Sequence, residues 1–353
     1  MNTKDKSTGK RRGCLGCLGR GAIGLLIVLV VALIAGTIYQ SVASASDLKK
    51  YPPMGQLYDV GDYRLHLYCT GEGSPTVILE AGAGSPGLIW TYVQPEIAKT
   101  TRVCSYDRAG FGWSDPAPGP LGSDEVAADL HALLEAADVP APYVLVGHSA
   151  GGVYIRAFTN QYPSEVVGMV LVDSTHEAQN ARFPQEYQEL NKIQNAMFDF
   201  CRIVSPFGLM RVTRFFDMLT AAYNMDAETG KVFLSTMNRT NFCQAAAAEA
   251  KALSTLISQT PSSLGDLPLI VLTADTSEEE MLAQIPAYLQ SIAGPEMIKK
   301  AFEVGREMQK ELVGLSSQGR QIMVPNSGHM MQLDQPQVVI DAIREIVEQV
   351  RGN

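Results

Sequence analysis

Basic residues are scarce over most of this chain and crowded at one end. The first 20 residues hold six of the 28 lysines and arginines (Lys4, Lys6, Lys10, Arg11, Arg12, Arg20) and one of the 37 acidic residues, Asp5. Residues 21–353 therefore carry 22 basic groups against 36 acidic ones, a net of −14 within a total of −9. So acidic a body repels polyanions, which excludes nucleic acid as a partner. Histidine is rarer still, with five in 353 residues, and no Cys/His spacing resembles a zinc site. No metal or other cofactor is expected. Charged residues are 18% of the chain against 46% hydrophobic, which excludes disorder and allows a sizeable core. Internal repeats and long low-complexity tracts are also missing.

One long apolar run is present. Residues 22–39, from Ala22 to Tyr39, contain no charge. A bilayer core of ~30 Å needs roughly 20 helical residues, so the run is close to spanning length. The basic cluster precedes it, which leaves the N-terminus cytoplasmic and exports the rest. The expected organisation is a basic leader over 1–20, a transmembrane helix over 21–40 and a linker over 41–56. The alternative is a secretory signal cleaved near Ala45, because Ala43-Ser44-Ala45 is a small-x-small site. The run is longer than the roughly 7–15 residues of a usual signal core, which favours the uncleaved anchor. Cys14 and Cys17 precede the run and so form no lipoprotein site.

Behind the linker, short apolar runs alternate with helical patterns. Tyr63–Cys69, Thr76–Glu80, Thr101–Tyr106, Pro142–Gly147, Val166–Val172, Leu267–Thr273 and Gln321–Val324 read as strands. Gly122–Ala137, Val153–Tyr162 and Val338–Val350 read as helices. This alternation describes an α/β fold with a mostly parallel sheet, whose sites lie at the carboxyl ends of the strands. Ser149, Asp173, Asp275 and His329 all follow strand ends. The rhythm breaks over 175–265, which is helix-like and rich in Met and Phe (Met197, Phe198, Phe200, Phe207, Met210, Phe215, Phe216, Met218, Phe233, Met237, Phe242). It reads as a helical cap between core segments 57–174 and 266–353. Most of these residues pack the cap, and some are expected to form an apolar pocket over Ser149.

Gly147-His148-Ser149-Ala150-Gly151 stands between a buried strand and a helix. A serine hydroxyl is a weak nucleophile until a base takes its proton and donors await the oxyanion. A sharp strand-to-helix turn exposes the oxygen, and small neighbours permit the strained backbone.

With this element the chain resembles the α/β-hydrolase superfamily, in particular bacterial esterase/lipase-like members with a helical cap. The resemblance covers about residues 57–350. It rests also on Val77-Ile-Leu-Glu-Ala-Gly-Ala-Gly84, on Tyr106-Asp-Arg-Ala-Gly-Phe-Gly-Trp-Ser-Asp115, and on Asn326-Ser-Gly-His329 with Gln332-Leu-Asp-Gln-Pro336. It implies Ser149 as nucleophile and His329 as base. It places the oxyanion donors at the backbone N–H groups of Ala150 and Ala83. Ala81-Gly82 stands where the family usually has His-Gly. The acid is Asp275, after the seventh strand, or alternatively Asp173, after the sixth; Asp275 is favoured although it falls one residue early. Asp107 and Arg108 are expected to pair and hold their loop. The other histidines fit a base less well: His66 lies in a strand, His131 in a surface helix, His148 in the variable position of the pentapeptide, and His176 near the site mouth.

The fold implied by the resemblance makes the strands of Cys69 and Cys104 neighbours, so that a disulfide is plausible in an exported protein, and Cys201–Cys243 would staple the cap. The expected activity is membrane-anchored hydrolysis of carboxylic esters with an apolar moiety, through an acyl-enzyme. The alternatives are an amidase or aminopeptidase with the same triad, for which no acidic amine-binding cluster is evident, and a non-catalytic module of the same fold. Ser149 argues against the epoxide and haloalkane hydrolases, which use an Asp nucleophile.

Overall fold

The computed structural model describes residues 12–220, 223–254, 263–275 and 294–352. Lys4, Asp5, Lys6, Lys10 and Arg11, and the side chains of Arg12, Cys14, Cys17 and Met218, lie outside the described residues. The chain begins with one long helix, α1 (Arg12–Lys50). Eight strands then build one sheet: β1 (Gln56–Asp59), β2 (Arg64–Thr70), β3 (Thr76–Glu80), β4 (Val103–Asp107), β5 (Tyr143–His148), β6 (Val166–Val172), β7 (Leu269–Asp275) and β8 (Gly319–Pro325). Their order is β1-β2-β4-β3-β5-β6-β7-β8. The first two are antiparallel, and β3 to β8 run parallel. The α/β class and the mostly parallel sheet are as the sequence indicated.

Every residue of β3, β4 and β5 is buried. Strands covered on both faces favour apolar side chains, hence the runs Val77–Leu79 in β3 and Tyr143–Val146 in β5. Among the helices are α2 (Gln94–Ile97), α3 (Ser123–Ala136) and α4 (Gly151–Gln161). The closing helix Pro336–Gly352 buries Val339, Ile340, Ile343, Ile346 and Val347. Steps of three and four residues put these on one stripe, and burying each stabilises by about 1.5–3 kcal/mol before entropy is counted. Cys69 and Cys104 face each other across β2 and β4 and are bridged.

The insertion between β6 and β7 contains α5 (Gln179–Arg182), α6 (Gln185–Val204), α7 (Leu209–Val212), α8 (Phe215–Thr220), α9 (Ala227–Met237) and α10 (Thr240–Ser254). A Cys201–Cys243 bridge joins α6 to α10. Met210, Phe216, Phe233, Met237 and Phe242 are buried in the main core, and Phe198 and Phe215 pack against it. Most of the Met/Phe content is therefore packing.

Segment 41–50, expected within the linker, is helical. The physical reason is that α1 is tied to the cap past its apolar run. Gln40 Nε2 donates to the Asn238 carbonyl at 2.7 Å, and Asp47 Oδ2 accepts from Arg211 Nη1 at 2.6 Å.

Candidate active site

Ser149 sits between β5 and α4 with φ +52°, a left-handed conformation that costs a non-glycine residue of the order of 1–3 kcal/mol. Its surroundings hold it there. Ser149 N–H donates to the Val172 carbonyl at 3.0 Å, and Thr175 N–H donates to the Ser149 carbonyl at 2.9 Å, so the turn is fastened to the end of β6. Gly151 permits the close approach: a Cβ there would lie 2.6 Å from the Glu80 carbonyl oxygen and 2.7 Å from that of Ala81.

His329 follows β8, and its Nδ1 is 2.6 Å from Asp173 Oδ2. Asp173 directly follows β6 with φ +43°, and its Oδ1 accepts from Ala274 N–H at 3.2 Å. Burial alone would raise the Asp173 carboxyl, but the hydrogen bond and charge of His329, with the Ala274 N–H, hold it below the usual carboxylate range. Desolvation lowers His329, yet the bond and charge of Asp173 prevail and keep it above the ordinary imidazole value. The His329 side chain is 52% exposed toward the open cavity.

The favoured pairing of Asp275 with His329 is corrected. Asp275 ends β7, and its Oδ1 bonds Arg306 on the helix Pro295–Val313. Its carboxylate is turned to that cation, and the alternative, Asp173, meets the histidine. Asp107 and Arg108 also diverge rather than pair. Asp107 bonds His66 Nδ1 at 2.9 Å and the N–H groups of Gly87 and Trp113.

Arg108 is buried with a carboxylate on either side: Nη1 lies 2.6 Å from Glu80 Oε1, and Nε lies 2.9 Å from Glu249 Oε1. It also donates to the carbonyls of Ala81 and Gly82 at 2.8 and 2.7 Å, clamping the loop after β3. Glu249, on α10, accepts from Gly84 N–H at 2.6 Å through its other oxygen and from Tyr154 Oη at 3.0 Å. Burial pushes the Glu80 carboxyl up to about 7 against the pull of Arg108 and Tyr106. Sequence reasoning missed Glu80 and Glu249. It also passed over His148, whose Nε2 lies 2.9 Å from the His329 carbonyl, an acceptor, and so carries the hydrogen. Burial, then the neighbouring His329, push His148 down to about 3, so its ring is neutral.

Ala83, Ala150 and Ser149 line one cavity of about 250 Å³. Among the described residues, neither the Ala83 nor the Ala150 N–H is donated to a protein acceptor. The cap wall mixes the carboxamides of Asn191, Gln194 and Asn195 with Tyr187, Phe198, Ala246, Ala250 and Leu253, so the apolar pocket expected there carries polar groups among its apolar ones. A second lobe of about 400 Å³ holds Asp173 and His329 with Phe183 and Phe302. Ser149, Thr175, Gln179 and Tyr187 belong to both lobes. Among the described residues, no group of three or more His, Cys, Asp or Glu side chains could hold a metal ion.

A family model described as "Alpha/beta hydrolase family" matches residues 77–342. A Gibberella zeae protein named "AB hydrolase superfamily protein" is 29% identical over 298 residues, 80% of this chain and 89% of its own. A Hormonema carpetanum protein named "Probable transporter efuK" is 30% identical over 316 residues; the match takes in 83% of this chain but spans only 42% of that protein. A solved esterase from Thermogutta terrifontis superposes with a TM-score of 0.55 at 20% identity, over 82% of this chain and 94% of its own. A bromoperoxidase from Bacillus anthracis gives 0.57 at 15%, over 83% and 99%. Likeness at these identities is one of fold, shared by proteins named for different activities.

Proposed function

The chain belongs to the alpha/beta hydrolase family, and from that premise we propose that it hydrolyses carboxylic esters with Ser149, His329 and Asp173, from an anchor in a membrane. The observation that carries this is the Asp173–His329 hydrogen bond beside the strained Ser149 turn. With Nδ1–H given to Asp173, the imidazole has Nε2 left for the serine proton. Ser149 Oγ attacks the ester carbonyl and loses its proton to His329. The N–H groups of Ala83 and Ala150 receive the oxyanion. The imidazolium, stabilised by ionised Asp173, returns the proton to the departing alcohol, and water then repeats the cycle on the acyl-enzyme.

The two lobes meeting at Ser149 suit the two halves of an ester, the one with Asn191, Gln194 and Asn195 taking the more polar group and the Phe183–Phe302 one the more apolar group. The anchor is the helical segment Leu18–Lys50, long and apolar enough to cross a bilayer and with its apolar window unburied. The contacts of Gln40 and Asp47 with the cap favour an uncleaved helix. Labelling with a fluorophosphonate tests the chemistry. The wild-type chain is expected to label and Ser149→Ala to stay dark; a folded wild type that stays dark overturns it. An ester panel with matched amides then fixes the bond class.

A further inference from the structure

We propose that the cap docks on the bilayer through the apolar outer face of α6 and α7, so that α6 forms the wall between lipid and the Ser149 cavity. This rests on the anchoring proposed above.

Apart from α1, the large hydrophobic side chains exposed among the described residues are few, and they are clustered. Seven are exposed, and five of these (Ile193, Phe200, Ile203, Leu209, Val212) fall between residues 193 and 212. Steps of seven and three put Ile193, Phe200 and Ile203 on one stripe of α6, with exposures of 45%, 53% and 61%. The cavity-lining residues Tyr187, Asn191, Asn195 and Phe198 follow steps of four, four and three on the same helix. At 100° per residue the two stripes lie on nearly opposite sides of α6. An apolar stripe facing away from the core has no folding reason to exist.

Its place relative to α1 identifies the occupant. The turn joining α6 to α7 seats directly on α1: Gly36 faces the Phe207 backbone so closely that any Cβ would collide with its carbonyl. Arg211, on α7, bonds Gln40 and Asp47. Between Arg20 and Gln40 the helix rises ~30 Å, one hydrocarbon thickness. The turn therefore meets α1 where the spanning segment ends, with Phe200 and Ile203 before it and Leu209 and Val212 after it. The exposed apolar side chains continue the apolar surface of the anchor, and a lipid interface is the partner that covers both.

The test uses the full chain in phosphatidylcholine vesicles, with Cys14 and Cys17 changed to Ser and one environment-sensitive thiol label per variant. Labels go on Ile203→Cys, Val212→Cys, Val30→Cys and, on the closing helix, Glu345→Cys. Nitroxide lipids are the quenchers, with the spin label shallow for positions 203, 212 and 345 and deep in the acyl chain for position 30. Quenching of Ile203→Cys and Val212→Cys together with Val30→Cys, and not of Glu345→Cys, is the expected result. Labels at 203 and 212 that behave like the one at 345 while Val30→Cys is quenched overturn the docking and leave the anchor intact. An unquenched Val30→Cys overturns both. As a second measurement, Ile203→Ser/Val212→Ser should leave turnover of a short water-soluble ester unchanged. It should lower turnover of a bilayer-dissolved long-chain ester about tenfold; equal turnover of the latter by variant and wild type overturns the docking.

Discussion

The carboxylate that holds the His329 ring is that of Asp173, whose Oδ2 lies 2.6 Å from Nδ1. Asp275 instead spends its charge on Arg306. Asp173→Asn should lower kcat by roughly 10⁴, because an amide cannot stabilise the imidazolium and allows the wrong tautomer. Asp275→Asn should change kcat less than about threefold, because it breaks a partly exposed ion pair, away from the reacting atoms, worth about 1 kcal/mol. Steady-state kinetics on one soluble ester compare the two, and a larger loss in the Asp275 variant would reverse the assignment.

The same contact sets a pH dependence. His329 is held above the ordinary imidazole value by Asp173, and the base must be neutral to act. Activity should therefore rise with pH through a midpoint above ~6.5. Asp173→Asn should move that midpoint to lower pH while the plateau falls. The stability linkage has two signs. The contribution of the raised His329 is full below its unfolded value and is lost as pH rises through the folded one. That of the lowered Asp173 is full above its unfolded value and is lost as pH falls through the folded one. A kcat/KM profile with an acid limb below pH 6 would contradict the pairing.

The sheet, the Ser149 turn and the His329 loop were legible because each is local. Apolar runs such as Val77–Leu79 and Tyr143–Val146 follow from burial on both faces, and the turn needs small residues within five positions. Which carboxylate meets His329 was not legible, because Asp173 and Asp275 both follow strand ends; Arg306, 31 positions beyond Asp275, draws its carboxylate away. Glu249 was invisible for the same reason, lying 141 positions from Arg108. The cap composition told how many Met and Phe it holds but not which way they face. Phe216 and Phe233 point into the core, Phe198 into the cavity and Phe200 outward. The four residues of β1, with only their two central ones partly buried, gave no apolar run to detect.

Glu249 couples the cap to the loop that carries Ala83. One of its oxygens holds Gly84 N–H at 2.6 Å and the other meets Arg108 and Tyr154. Glu249→Gln keeps the shape but turns an amide donor toward at least one of these donors. Unfolding in urea should show a loss of about 1–3 kcal/mol, the cost of an unsatisfied buried group. Displacing the Ala83–Gly84 peptide should also lower kcat by about 10²-fold with little change in KM. A variant that loses stability but keeps kcat, assayed where it is fully folded, would make Glu249 purely structural.

His148 separates positioning from titration at this site. Its ring is 4.7 Å from that of His329 and uncharged, with its Nε2–H given to the His329 carbonyl and its buried Nδ1 without a partner among the described residues. His148→Phe keeps a ring in the space and removes the donor. The lost bond is offset in part by removal of an unsatisfied buried nitrogen, so stability should change by less than about 1 kcal/mol. The His329 loop loses one of its fastenings, and kcat should fall about tenfold. Because the ring carries no charge near neutrality, the acid limb of the profile should keep its midpoint. A shifted midpoint would mean that His148 titrates with His329, and an unchanged kcat would mean that Asp173 alone holds the base in place.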